Sequence, residues 1–252
     1  MASNTPGDAD YAGHFATLAE RYDALRGASE LRPELVQLVV ERGDLAGRRV
    51  LEIGCGTGVW AAELALRHRA KVWAVDASPE MVTAARARAP RGVGVRVGRA
   101  EDLSFRDGWF ERTLMVLVAH LVDRPRAFAE LRRVLAPDGR AVVATTNPER
   151  YDGFWMAPLF PSYVEVERAR FPDARALERE LGAAGFAAVD VPRLPLRRRF
   201  AREQALAKLR GRAYSTFELL SEEEIEAGIE RAERELPDPV EYELEWLVAV
   251  AK

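Results

Sequence analysis

The stretch Val50-Leu51-Glu52-Ile53-Gly54-Cys55-Gly56-Thr57-Gly58 constrains this chain more than any other, because an apolar strand pattern runs straight into glycines at i, i+2 and i+4. The residues that follow, Val59-Trp60-Ala61-Ala62-Glu63-Leu64-Ala65-Leu66, have helical spacing of apolar positions, so the pattern predicts strand, tight turn, helix. Such a turn is a nucleotide cradle. A missing Cβ lets the backbone take positive φ and approach a ligand closely, while N–H groups at the helix start face polar ligand atoms. Past this turn, a second strand pattern over residues 71–75 ends in Asp76, where a carboxylate can accept both hydroxyls of a ribose.

Two cofactor classes use this arrangement, and glycine spacing separates them. The dinucleotide form G-x-G-x-x-G needs glycine at position 59, where the chain has Val59. Glu52 sits awkwardly beside a diphosphate but suits a ligand with a cationic sulfonium and an α-amino group. The stretch resembles motif I, E-x-G-x-G-x-G, of the class I S-adenosylmethionine-dependent methyltransferases. That resemblance implies that Glu52, Gly54, Cys55, Gly56, Asp76 and Ala77 surround S-adenosylmethionine, with S-adenosylhomocysteine as product and no metal.

Further motifs of the family follow in order. Upstream, Tyr22-Asp23-Ala24-Leu25-Arg26 resembles the Y-D-x-x-R element, whose tyrosine lies near the methionine part of the donor. Ser78 and Pro79 read as N-cap and first position of a helix, and the pattern D-x-S-x-x-M lays Met81 against the adenine in the family. Residues 98–105 resemble the G-D-A-E-x-L-P-F loop at the adenine edge, but Arg99 replaces its aspartate. The Ala100 backbone and the carboxylate of Glu101 or Asp102 are left to serve the adenine amino group. Residues 110–125 resemble the fourth-strand motif, which places Val116 at the donor and matches His120 to the first histidine of an H-H pair, with Leu121 in place of the second. Residues 126–140 match the helix and turn that lead into a fifth strand over 141–145.

The resemblance implies a doubly wound, mostly parallel seven-stranded sheet in one domain with helical lid insertions. Residues 1–45 read as an N-terminal helical lid, with residues 1–8 a disordered lead, one amphipathic run over 11–26, and a helix over 33–42 closed by Gly43. Residues 46–147 read as the donor-binding core, 148–172 and 200–238 as substrate caps, and 173–199 with 239–252 as the completion of the sheet. Phe154, Trp155, Phe160 and Tyr163 make the first cap aromatic and suit an acceptor pocket.

Composition narrows the function. The 252 residues carry 37 basic and 40 acidic side chains, a net charge of −3 that makes the whole molecule no electrostatic magnet for nucleic acid or anionic membrane. Arg197-Arg198-Arg199 reads as a solvated face, and the D-P-P-Y signature of amino-methylating enzymes acting on flipped bases is absent after the fourth strand. No apolar run approaches about 18 residues and no export signal is visible, so a cytoplasmic protein is expected. Cys55 is the only cysteine, which excludes an intramolecular disulfide and a cysteine-cluster metal site.

Methyl transfer from a sulfonium is an in-line displacement with an activated leaving group, so alignment and exclusion of water carry much of the rate. An acceptor that must lose a proton needs a base of pKa near 7. His120, at the ligand end of the sheet, is the candidate; His14 lies in the lid and His68 at a solvated helix end. A small organic acceptor is expected. A tRNA or rRNA methyltransferase and a non-catalytic donor-binding module are the alternatives, and the methylated atom (O, N or C) and the oligomeric state stay open.

Overall fold

The computed structural model describes residues 11–19, 21–26 and 31–252, so the expected disordered lead lies outside the described residues. The glycine stretch forms as the pattern demands: β1 (Arg49–Ile53), a tight loop, then α4 (Val59–His68). Before it come α1 (Tyr11–Leu18), α2 (Tyr22–Arg26) and α3 (Pro33–Gly43). The run over 11–26 is therefore two short helices, not one. Helix α3 also ends differently from expectation: Gly43 is its last residue and Asp44, at φ 51°, takes the left-handed position. Packing explains this, since a Cβ on Gly43 would lie 2.6 Å from Val142 Cγ2, so the glycine serves a close helix-to-sheet contact.

After α4 the chain alternates β2 (Lys71–Asp76), α5 (Pro79–Arg88), β3 (Gly94–Val97), β4 (Phe110–Val116), α6 (Arg124–Val134) and β5 (Leu135–Thr146). Strand β5 begins earlier than expected. The pairs Phe110↔Leu135 and Arg112↔Arg140 show that the expected turn persists as an excursion within the strand. Helices α7 (Tyr163–Arg170) and α8 (Ala174–Ala183) follow, then β6 (Val189–Asp190), β7 (Arg193–Phe200), α9 (Arg202–Arg210), α10 (Glu222–Glu235) and β8 (Val240–Ala251).

The sheet order is β3-β2-β1-β4-β5-β8-β6, parallel through β5 and antiparallel at β8, with β7 also on β8. Eight strand segments occupy seven positions. Both β6 and β7 pair with β8 in one continuous register, from Val189↔Ala251 to Phe200↔Val240, interrupted only at Val191 and Pro192. The strand expected over 186–191 is thus short at its start and continues through the arginine run.

Alternation along the strands builds two cores. Val50, Leu114 and Val142 pack with α3 and α4 on one face, whereas Leu51, Met115 and Val143 pack with α6 and α8 on the other. A third cluster joins the two inserted stretches, with Trp155, Phe160, Phe217 and Ile225 buried together. No helix among the described residues is long and apolar enough to cross a membrane.

Candidate active site

The carboxyl ends of β1, β2 and β4 open onto a cleft of ≈ 230 Å³, the place where a parallel sheet of reversing strand order takes its ligands. Its floor is the glycine loop. The Gly54 and Cys55 N–H groups both donate to the Val75 carbonyl, at 2.8 and 3.0 Å, which holds the loop against β2. Gly54 has φ 70°, and a Cβ there would come within 2.2 Å of Val118 Cγ2. Gly56 has φ 52° and faces open space, with no atom within 4 Å of a would-be Cβ.

Asp76 ties this loop to the next. Its Oδ2 accepts from the Gly56 N–H at 2.8 Å and its Oδ1 from the Ser78 N–H at 2.9 Å. Burial raises the Asp76 carboxyl above its ordinary 3.8, partly offset by these backbone donors. Ser78 caps α5 as expected, its Oγ accepting from the Met81 N–H at 3.2 Å, and Met81 is buried at the cleft wall. Glu52 is buried in the floor. Glu101 accepts from the Asp123 N–H at 3.1 Å and lies 3.3 Å from the Arg99 guanidinium. Asp102 is exposed outside the cleft, which leaves Ala100 and Glu101 of the three adenine-edge candidates.

All eleven residues expected at the donor line this one cleft: Tyr22, Glu52, Gly54, Cys55, Gly56, Asp76, Ala77, Met81, Ala100, Glu101 and Val116. Three carboxylates against the single Arg99 make it an acidic cleft. Its field is felt by Cys55, whose thiol is pushed up by burial and then by Glu52 and Asp76, and so stays protonated. The residues fit S-adenosylmethionine: acidic walls suit a cationic sulfonium, and the open space over Gly56 is a cradle that a side chain would fill.

The N-terminal helices cover the cleft with Tyr11, Phe15 and Tyr22. Asp23 of α2 accepts from the Thr57 hydroxyl at 2.7 Å and pairs with Arg88 of α5, whose guanidinium also donates to the Thr57 carbonyl at 2.7 Å. This clasp joins α2, the glycine loop and α5. Farther out, His14 Nδ1 lies 2.7 Å from Glu218, which ties α1 to the segment between α9 and α10 and takes it out of the cleft. His68 lies 3.6 Å from Glu63 at the end of α4, also away from the cleft.

His120 does not line this cleft. It lines a neighbouring inner cavity of ≈ 100 Å³ that shares Phe15, Tyr22 and Leu117 with it, and its ring stacks on Phe171 with centroids 3.8 Å apart. Leu117, between the two spaces, holds φ 55°, a left-handed conformation rare for a branched side chain. The polar part of this cavity was not foreseen from the sequence. Arg170 Nε donates to Glu167 at 2.9 Å, and its other nitrogens donate to the Ser215 and Thr216 hydroxyls at 2.9 and 3.0 Å. Burial pulls the Arg170 pKa down, but the charge and hydrogen bonds of Glu167 more than offset it, so the guanidinium stays charged. The only local signal was the i, i+3 spacing of Glu167 and Arg170, which usually marks an exposed helix face. Of the four aromatics expected at the acceptor, Phe154 and Tyr163 line this cavity, whereas Trp155 and Phe160 are spent on the core of the caps.

Comparison with known proteins agrees with this geometry. The family model for a methyltransferase domain matches residues 50–139. A ubiquinone biosynthesis O-methyltransferase of Xanthomonas oryzae is 35% identical over 142 residues, 53% of this chain and 59% of that protein. A malonyl-[acyl-carrier protein] O-methyltransferase of Halorhodospira halophila is 37% identical over 142 residues, 54% of this chain and 47% of that one. The chain thus spans about half the length of the curated relatives it matches. The crystal structure of an S-adenosylmethionine-dependent methyltransferase of Thermotoga maritima covers 96% of this chain and 99% of its own, with a TM-score of 0.60 at 22% identity, a likeness of fold. Residues 50–139 thus match a methyltransferase domain, and they carry it on the strand order that the motifs predict.

Proposed function

We propose that this chain moves a methyl group from S-adenosylmethionine to a small organic acceptor. The observation that carries the reading is the acidic cleft over an open glycine loop, which suits a cationic donor and disfavours a pyrophosphate. When bound, S-adenosylmethionine supplies an electrophilic methyl group on a sulfonium. Glu52, Gly54, Cys55 and Gly56 hold its methionine part beside Tyr22, Asp76 and Ala77 its ribose, and Met81, Ala100, Glu101 and Val116 its adenine. The lid residues Tyr11, Phe15 and Tyr22 exclude water, and the inner cavity orients the acceptor. His120, in that cavity and half-buried, takes the acceptor's proton.

In this reading residues 1–45 act as lid, 46–147 as donor core, and 148–172 with 200–238 as acceptor caps on a sheet completed by 173–199 and 239–252. Oxygen is favoured as the methylated atom by the names of the two O-methyltransferases above. Activity without a metal goes with the proposal, as does a cytoplasmic setting, supported by the single buried cysteine. A nucleic-acid acceptor is disfavoured by the net charge of −3.

Calorimetric titration with S-adenosylmethionine, S-adenosylhomocysteine and NAD tests the donor, and His120→Ala tests the base. The first two ligands should bind and NAD should not. The variant should keep S-adenosylhomocysteine affinity within about twofold while turnover falls about 10²- to 10⁴-fold. Binding of NAD alone would overturn the assignment, and an unchanged turnover would remove His120 from catalysis.

A further inference from the structure

A third space, a groove of ≈ 540 Å³, opens outward between the start of α3, strands β7 and β8 and helix α9. It shares Phe154, Tyr214, Leu117 and Leu244 with the inner cavity, and Leu117 alone among these also touches the donor cleft. The groove therefore lies next to the inner cavity, with Leu117 in the walls of all three spaces. Its lining is mixed, with Phe200, Tyr242 and Trp246 along the strands forming an aromatic wall beside polar side chains.

Its charge is opposite to that of the cleft. Arg32, Arg198, Arg199 and Lys208 line the groove, and no carboxylate does among the described residues, although the chain as a whole has more acidic than basic side chains. Strand alternation sorts these cations. Arg197 and Arg199 are exposed positions of β7, and two groove cations pair with carboxylates outside its lining: the Arg199 guanidinium sits 3.3 Å from Glu241 and that of Arg32 sits 3.6 Å from Glu34. Arg198 shares the inward face with Leu196 and Phe200 and is half-buried, so only part of the arginine run is the solvated face expected from sequence. The Lys208 ammonium lies 5.8 Å over the Phe200 ring and donates to the Leu25 carbonyl, which places its positive charge over the aromatic wall. Trp246, buried in the same wall, has an indole N–H that meets no acceptor among the described residues.

Resting on the methyltransferase reading, we propose that the acceptor is an anionic amphiphile: a carboxylate or phosphate ester whose apolar body lies in the groove and whose charge meets Arg198 and Lys208. The opposed fields fix its direction. An anion is attracted to the groove and repelled by Glu52, Asp76 and Glu101, so the charged end points outward and the uncharged end, with the atom to be methylated, points past Leu117 toward the donor. Repulsion at the wrong end is what makes the orientation selective.

The test uses the full chain saturated with S-adenosylhomocysteine, whose own affinity is measured separately by calorimetry. Binding of 1-naphthoate, 1-naphthyl phosphate and the neutral 1-naphthalenemethanol is followed by calorimetric titration. The two anions should bind at least tenfold more tightly than the alcohol, and the stronger of them identifies which anionic group the groove takes. Arg198→Gln should reduce that preference at least fivefold, Arg198→Lys should restore most of it, and Arg197→Gln, on the opposite face of the same strand, should leave it unchanged. Equal binding of the alcohol, no binding by either anion, or the same loss in Arg197→Gln overturns the proposal. If S-adenosylhomocysteine fails to bind while the anion preference persists, the donor reading falls and the anion groove stands.

Discussion

The two glycines at the floor of the donor cleft differ in what a methyl group would meet, and that difference separates folding from binding. At Gly54 the Cβ would lie 2.2 Å from Val118 Cγ2 at φ 70°. Left-handed strain of about 1 kcal/mol adds to overpacking of about 1–3 kcal/mol, so Gly54→Ala should lose about 2–4 kcal/mol of stability. At about 2–4 °C per kcal/mol for a chain of this size, its Tm falls by about 4–16 °C. At Gly56 the strain is similar but nothing lies within 4 Å, so Gly56→Ala should lose only about 1 kcal/mol and about 2–4 °C. Its methyl instead enters the space assigned to the donor. If that space is filled by ligand, the overlap costs about 1–3 kcal/mol of affinity, or about 5- to 150-fold in Kd. Thermal unfolding of the ligand-free proteins and calorimetric titration with S-adenosylhomocysteine read the two quantities separately. A Gly56→Ala protein that binds S-adenosylhomocysteine within twofold of the parent would refute the placement of the donor over this loop.

Three other perturbations have defined signs. Because the folded pKa of Asp76 is raised above 3.8, its contribution to stability is fully present below 3.8 and lost as pH rises through the folded value; donor affinity runs the other way, since the ionised carboxylate accepts the ribose hydroxyls. S-adenosylhomocysteine titrations at falling pH should show Kd rising before ordinary carboxylates protonate, and Asp76→Asn should flatten that profile; a profile unchanged by the substitution would dismiss Asp76 as its source. Cys55, buried with its thiol held protonated, should react with a disulfide reagent only on unfolding, and rapid labelling of the native protein would contradict that burial. Arg170→Met strands the buried Glu167 carboxylate and should cost about 3–5 kcal/mol by chemical denaturation, with Glu167→Leu in the same chain recovering most of it; a loss under 1 kcal/mol would show that the pair is not held as described.

What the sequence made legible was local in the chain. The glycine loop, the Ser78 cap and the ends of β1, β2 and β4 are fixed by neighbours within a few residues, so the eleven residues named by the family resemblance, carried over one by one, line one cleft. What it hid depends on distant partners. The inward face of Arg198 is decided by pairing with Tyr242 across β7 and β8, and the burial of Arg170 by Ser215 and Thr216, which lie 45 and 46 residues away. The aromatic residues divided between cap core and cavity likewise follow from tertiary packing that helical periodicity does not encode.

Leu117 is the side chain at which cleft, inner cavity and groove meet, held there by a backbone angle that glycine would adopt with less strain. Its size sets how the three volumes are partitioned, while the residues around the glycine loop stay as they are. A smaller residue there would relieve the left-handed backbone but give up the packing that Leu117 makes on two hydrophobic clusters, so any change in how the three spaces are divided is set against a loss of burial.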